Sequence, residues 1–411
     1  MTARGVRKTV VVMGTLDTKG EELGFVRDRL EMIGVETLLV DVGIVHPPAV
    51  EPDIDRREVA AETGFDIESA AGLLERGTAV AAMAEAGAAV ARRLLAEGRC
   101  DGIIGVGGGS NSAIATAAMR ALPLGVPKVM VSTLSGEEAS ACIGGSDLIL
   151  FPSIVDVAGL NVIFLPILAN AVAAMAGMVD APPICFKAGG QRIAATMFGV
   201  TTPSVAAARE CLEPAGYEVV TFHARGNGGK AMEALIRDGF FAGILDVTTT
   251  ELADEMVGGK LSAGPDRLTA AGAAGLPQVV SLGALDVVNF GPIDTVPPRF
   301  EHRLFSVHNP QATLMRTNAE ECAQIGAELA RKLSASTGPT AVFVPLRGLS
   351  GLSIEGGVFY DPEADEALFD SLRENLSDRV ELREIDTSIN DPEFARAMAA
   401  QLMDFLGKGQ E

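Results

Sequence analysis

The 411 residues exceed the span of one ordinary core, and the usual allowance of ~100 to 200 residues per domain points to two. Their composition, 48% hydrophobic and 21% charged with 46 glycines, is that of a globular chain with many tight turns and excludes a disordered one. A formal charge of -21 opposes nucleic acid and anionic lipid, which need a basic surface to release counterions, so any phosphate site has to be local.

No signal-peptide core precedes the strand-like run Thr9-Val-Val-Val-Met13. Five scattered cysteines (Cys100, Cys142, Cys185, Cys211 and Cys322) form neither a disulfide framework nor a Cys-x-x-Cys pair, so a reducing, cytoplasmic setting is expected. The first strand leads to Gly14-Thr15, and the next, Thr37 to Val40, leads to Asp41. An acidic insertion of helical period follows, roughly Gly43 to Ala81, readable as a lid, a dimerisation arm or a plain surface excursion. Gly102 to Val106 then runs into Gly107-Gly108-Gly109-Ser110, and Lys128 to Val131 into Ser132-Thr133. Continuous apolar runs ending in glycine or hydroxyl residues and followed by helical periods indicate βαβ units with a parallel sheet buried on both faces. Val157 to Val179 carries no charge and is long enough to cross a bilayer, but its Ala, Gly, Asn161, Pro166 and Asn170 favour a helix buried at a lobe or subunit interface.

The second half repeats the plan after Asp180-Ala-Pro-Pro183, where paired prolines mark a hinge. Ala194-Ala-Thr-Met-Phe-Gly199 echoes Val10-Val-Val-Met-Gly14, Gly216-Tyr-Glu-Val-Val echoes Gly34-Val-Glu-Thr-Leu, and Gly243-Ile-Leu-Asp-Val-Thr248 echoes Gly102-Ile-Ile-Gly-Val-Gly107. Gly275-Leu-Pro-Gln-Val-Val-Ser281 echoes Gly125-Val-Pro-Lys-Val-Met-Val-Ser132. Matches in one order imply an α/β protein of two Rossmann-like lobes with mainly parallel sheets, residues 1–180 and 181–411, related by a distant internal duplication.

Ligands of such sheets bind beyond the carboxyl ends of the strands, where helix N-termini offer free N–H groups. In Gly14-Thr15-Leu-Asp17-Thr18-Lys19, the glycine permits close approach, both threonines supply hydroxyls, Lys19 a charge, and Asp17 a water-mediated hold on magnesium. A helix cap explains Asp17 or Thr18 as well, since Thr18 and Glu21 also spell a capping box. Gly107-Gly108-Gly109-Ser110-Asn111 is the strongest phosphate cradle, although it matches neither the dinucleotide fingerprint nor Walker A. Ser132 and Thr133 end the neighbouring strand. In the second lobe Arg225, Gly228, Gly229 and Lys230 form a glycine-hinged basic loop after His223, and Thr248 and Thr249 open a helix, where a capping box to Glu251 again competes. Only eight lysines are present, which sets Lys19 and Lys230 apart. Gly264-Pro-Asp-Arg267, Gly283 with Asp286, and Pro345-Leu-Arg347-Gly-Leu-Ser350 are further polar turns. Four histidines, His46, His223, His302 and His308, show no metal-ligand spacing, and Glu137 and Glu138 read as a metal-orienting pair or a solvated helix start.

These loops, together with Asp246-Val-Thr-Thr-Thr-Glu251, Pro277-Gln-Val-Val-Ser-Leu-Gly-Ala-Leu-Asp286, His308-Asn-Pro-Gln311 and Phe359-Tyr-Asp-Pro-Glu363, resemble the Tm-one-like ATP-binding domain family over essentially the whole chain. The resemblance implies paired Rossmann-like subdomains that bind ATP and tend to dimerise. It does not carry over the plant member's antiviral role, or the chemistry of the barrel domain into which that plant chain continues.

The expected protein is therefore an ATP-binding one of regulatory or metabolic role, with magnesium as companion ion, and a homodimer or higher homo-oligomer. The alternatives are an enzyme that uses ATP or acts on a phosphorylated small molecule, and a dinucleotide-binding protein. A second small-molecule ligand is compatible with either lobe; nucleic acid and membrane are not expected partners.

Overall fold

The structure is a computed structural model that describes residues 7–67, 76–182 and 190–408, the side chains of Glu137 and Lys408 excepted. The chain divides into two compact units, Met1–Cys185 and Phe186–Glu411. Pro183 of the expected hinge, and Cys185, lie outside the described residues.

The first unit is built on β1 (Thr9–Gly14), β2 (Glu36–Asp41), β3 (Gly102–Gly107), β4 (Lys128–Ser132) and β5 (Ile149–Pro152). All pair in parallel, in the order β2-β1-β3-β4-β5. The four apolar runs of the sequence become β1 to β4. β5 was not legible: it is four residues long, half-exposed at the sheet edge and ends in proline, which an edge tolerates because no ladder N–H is needed there. Along β1 the side chains alternate between two cores, Val11 and Met13 packing with Ile103 and Ile114, and Val10 and Val12 with Leu23, Ile104 and Val129. This two-faced burial is why the strand reads as a continuous apolar run rather than an alternating one.

Two expectations for this unit change. The uncharged segment from Val157 to Val179 is not a single helix buried on all sides. Helix Phe164–Asp180 begins only after a loop in which Val162 is 88% exposed, and it packs one stripe, Phe164, Leu168, Ala171, Val172, Met175 and Val179, onto its own unit's sheet. Its apolar face is satisfied there, so it supplies no argument for an oligomer. Among the described residues no helix is long and apolar enough to cross a membrane. The insertion after β2 lies on the sheet edge through a Val40–Ile54 bridge, and it buries Ile54, Val59, Ala60 and Ile67 against the core. Residues 68–75 of it lie outside the described set.

The second unit runs through β6 (Arg192–Met197), β7 (Glu218–His223), β8 (Gly243–Thr248), β9 (Gln278–Gly283), β10 (Val287–Phe290), β11 (Phe305–Asn309), β12 (Ala312–Arg316), β13 (Thr340–Pro345) and β14 (Glu381–Ile385). Six of these form a parallel sheet, β14-β13-β9-β8-β6-β7, and the other three an antiparallel sheet, β10-β12-β11. Read from β7, the large sheet begins β7-β6-β8-β9, the order in which the first begins β2-β1-β3-β4. The protein is an α/β chain of two mainly parallel sheets, and the matched segments of its two halves occupy matched positions.

Candidate functional site

β1 and β3 lie side by side at the centre of the first sheet, and the chain leaves them in opposite directions, so a crevice opens beyond their carboxyl ends. β3 ends at Gly107, Gly108 caps the next helix, and helix Gly109–Arg120 points its N-terminus into that crevice. The first intrahelical bond there runs from the Ser112 amide to the Gly108 carbonyl, which leaves the preceding amides of Gly109, Ser110 and Asn111 without helical acceptors. The cavity in front of them measures 430 Å³ and is lined by Thr15, Asp17, Thr18, Lys19, Gly108, Gly109, Ser110 and Asn111, with Ile44, Val45, Arg76 and Ile114. The Gly14 and Gly107 loops, 93 residues apart in sequence, thus share one wall.

Asn111 joins them. Its Oδ1 accepts from the Thr15 amide at 3.1 Å and its Nδ2 donates to the Val106 carbonyl. A Cβ on Gly107 would stand 2.6 Å from Asn111 Nδ2, so this glycine is required by packing. Gly108 is different: its backbone is extended (φ -96°, ψ -159°), and a Cβ there would meet only Thr133 Oγ1 at 3.6 Å. A Cβ on Gly109 would meet nothing within 4 Å. Neither glycine is held by a left-handed conformation; what their missing side chains provide is an unobstructed approach to the amides.

Around this wall Thr15 Oγ1 and Thr18 Oγ1 are 2.8 Å apart, and helix Leu16–Met32 starts without a side-chain cap, so the Thr18 capping box does not form. Asp17 Oδ2 accepts from the amides of Val45 and His46 at 3.2 and 3.1 Å, which ties the insertion to the cavity rim, while its Oδ1 is buried without a partner. Asp41 behind it accepts from the Leu16 and Gly43 amides and also keeps one buried oxygen unpaired. Burial, and secondarily the Asp17 charge, push its carboxyl above the ordinary range. Lys19 Nζ donates to the Val157 carbonyl. Ser132 Oγ shares a 2.7 Å hydrogen bond with Ser112 Oγ and accepts from the Leu134 amide, and Thr133 is exposed beside Gly108. Among the described residues no group of three or more His, Cys, Asp or Glu side chains could hold a metal ion. Arg76, Ile44 and Val45 were missed because they reach the cavity from the insertion, which no local pattern relates to the glycine loops.

The second unit's loops are arranged otherwise. Gly226 and Gly229 donate their amides to Glu251 Oε1 at 2.6 and 3.1 Å, so the anion at this turn is a side chain of the protein itself. Gly228 sits so close to the His223 carbonyl that a Cβ would fall 1.8 Å from it, and a Cβ on Gly229 would strike Glu251. Arg225 and Lys230 are exposed. Thr248 Oγ1 bonds Thr201 Oγ1 at 2.7 Å, Thr249 donates to the Ser281 carbonyl at 2.9 Å, and both are fully buried, turned away from solvent. The capping box from Thr248 to Glu251 is absent, because Glu251 also accepts from Arg267 Nε at 2.7 Å. Arg267 is fully buried and bidentate to Asp246, with Glu233 3.5 Å away. Asp286 accepts from Ser350 Oγ at 2.6 Å in the core, and Arg347 pairs with Asp386 at the surface. The structure therefore brings together the first unit's glycine, threonine and lysine residues and leaves the second unit's threonines and glycines in structural roles.

Fold and site define a two-unit, parallel-sheet α/β protein with a glycine loop at the strand-order reversal of its first sheet. The chain belongs to the uncharacterised protein family UPF0261, whose N-terminal domain matches residues 8–183 and whose C-terminal domain matches residues 190–406. A UPF0261 protein of Clostridium tetani is 48% identical over 98% of this chain and 100% of its own length. The ToMV resistance protein Tm-1(GCR237) of Solanum lycopersicum is 37% identical over 100% of this chain, which spans 57% of the tomato protein. Among solved structures, a UDP-N-acetylglucosamine 2-epimerase from Rickettsia bellii aligns over 67% of this chain and 79% of its own at 11% identity and a TM-score of 0.22, a similarity too loose to bear on function.

Proposed function

We propose that the first unit binds ATP, with the phosphates seated on the amides of Gly109, Ser110 and Asn111. The observation that carries this reading is the coincidence of an unobstructed helix N-terminus with the strand-order reversal between β1 and β3, the place where open parallel sheets take nucleotides. Lys19 and Arg76 supply local positive charge in a chain of net charge -21. Lys19 exchanges the neutral Val157 carbonyl for a phosphate oxygen, a stronger charge-assisted partner. Magnesium fits the same wall: the buried, unpartnered Asp17 Oδ1 is a hard oxygen donor, and the remaining ligands would come from phosphate and water. The ion would neutralise phosphate charge. Among the described lining residues Asp17 is the one carboxylate, its Oδ2 is committed to two backbone amides, and none is a histidine, which favours binding over rapid hydrolysis. The reading is thus a nucleotide-binding protein that hydrolyses ATP slowly by itself.

Thermal unfolding with nucleotides tests it. ATP with magnesium should raise the melting temperature more than NAD or NADP does, since binding to the native state alone contributes about 2.7 kcal/mol at a hundredfold excess over Kd. Gly108→Val should remove the ATP effect while the protein stays folded, because Gly108 lines the cavity and an added side chain has room there without a clash inside the protein. Equal or null shifts for all nucleotides, or an unchanged ATP shift in folded Gly108→Val, would overturn the assignment.

A further inference from the structure

β6 and β7 end side by side, with Met197 paired to His223, and the chain departs through Phe198 on one strand and Arg225 on the other. The Phe198 and His223 rings stack with centroids 5.6 Å apart and planes inclined by 26°. His223 Nδ1 lies 3.1 Å from the Met197 carbonyl, and because a carbonyl only accepts, that nitrogen carries the proton and the ring is fixed with Nε2 directed elsewhere. The antiparallel β10-β12-β11 sheet closes over this corner: β10 brings Phe290, and the end of β11 brings His308. Lys260 is drawn in by its amide, which donates to the Asn289 carbonyl at 2.7 Å. The segments enclose a cavity of 270 Å³.

The cavity has a polarity. Its buried lining is Asn289, Phe290, Gly291 and Leu314, and its exposed lining includes His223, Arg225, Lys260 and His308. Among the described residues no Asp or Glu lines it, in a chain that carries 54 of them against 33 Lys and Arg. Glu251 fixes the loop that carries Arg225 by holding the Gly226 amide from within, so the arrangement exists before any ligand arrives. An apolar base beneath a cationic mouth is complementary to an amphipathic anion. The volume lies below the ~300 Å³ at which drug-sized pockets begin, which matches a one-ring compound better than a whole nucleotide.

We propose that this cavity of the second unit is a binding site for a small organic anion, a carboxylate or phosphate ester. Its ring or alkyl part packs against Phe198, Phe290 and Leu314, and its charged group meets Arg225 and Lys260. The site is independent of the glycine-loop cavity in the first unit and of what binds there.

The sequence holds four histidines, few enough for their ring protons to be followed individually by NMR in the intact chain. Phenyl phosphate and benzoate are titrated, with inorganic phosphate and phenol as the separated halves. At least one of the two aromatic anions should shift His223 and His308 saturably while exposed His302 stays unmoved, and should bind about tenfold or more tightly than either half; whichever does so identifies the charged group. Arg225→Gln removes a surface side chain, and its ligand-free histidine spectrum verifies the fold. It should weaken binding by about tenfold, the loss of one charge-assisted contact. Gly108→Val should leave the His223 and His308 response intact, which separates this site from the ATP reading. Absence of saturation with both aromatic anions, equal affinity for inorganic phosphate, or undiminished binding in Arg225→Gln would overturn the proposal.

Discussion

Arg267 has no exposed surface, yet it is charged: Asp246, Glu251 and Glu233 hold its guanidinium above the ordinary arginine value against the cost of burial. The excess of negative charge is relieved by hydrogen bonds from outside the ion group. Gly226 and Gly229 donate to Glu251, Leu268 and Ala270 donate to Glu233, and Thr196 donates to Asp246. Asp254 has hydrogen bonds but no ion pair among the described residues. It accepts from the Asn289 amide and Nδ2 at 2.8 and 2.6 Å, and burial pushes its carboxyl up from 3.8 to about 7. Because the folded value lies above the unfolded one, the stabilisation from the protonated group is fully present below 3.8 and is lost as pH rises through about 7. Wild-type stability should therefore decline over the upper part of that window. Asp254→Asn, with the Asn289 amide able to turn its oxygen inward, should flatten the decline; urea midpoints from about pH 5 to pH 8 would measure the two slopes.

At the scale of elements, the two Gly-rich turns of the first unit were legible as candidates, and the structure sets them on one cavity, but the cause of each glycine was not legible. A run of three glycines after a buried strand announces close approach, but only the structure separates Gly107, which makes room for Asn111, from Gly109, which faces open space. Gly107→Ala should cost about 1 to 3 kcal/mol through overpacking. Gly109→Ala should be neutral or stabilise by about 0.4 to 1 kcal/mol, since it restricts the unfolded chain without a clash. Chemical denaturation of both variants would rank them. Strands buried on both faces were readable from hydrophobicity alone, whereas β11, Phe305-Ser-Val-His-Asn309, is exposed for most of its length and carries no such signal. The Thr248-to-Glu251 spacing was ambiguous for a physical reason: a glutamate three residues after a threonine suits a capping box, and here the same carboxylate is taken by Arg267 and two glycine amides that are distant in sequence.

At the scale of the molecule, each unit has its own sheet and its own cores. The chain has no tryptophan and two tyrosines, Tyr217 and Tyr360, both in the second unit, so tyrosine fluorescence reports on that unit while far-ultraviolet circular dichroism reports on both. Thermal unfolding should give non-coincident curves by the two probes, with ATP and magnesium moving the dichroism curve and leaving the tyrosine curve in place; coincident curves would show one cooperative transition. The matched strand order of the two sheets was legible because corresponding strands share their apolar wording, but the differences lie in the turns. A glycine turn of the second unit is filled by Glu251 from within the chain, and the glycine turn of the first unit is lined by amides that face a cavity. That difference has a temporal consequence. The amide hydrogens of Gly226 and Gly229 are locked whatever the solution contains and should exchange with deuterium slowly, on the timescale of opening the second unit's core. Those of Gly109, Ser110 and Asn111 should exchange rapidly in the ligand-free chain and become protected when ATP arrives, so that the one half carries its occupant permanently and the other keeps time with the nucleotide concentration around it.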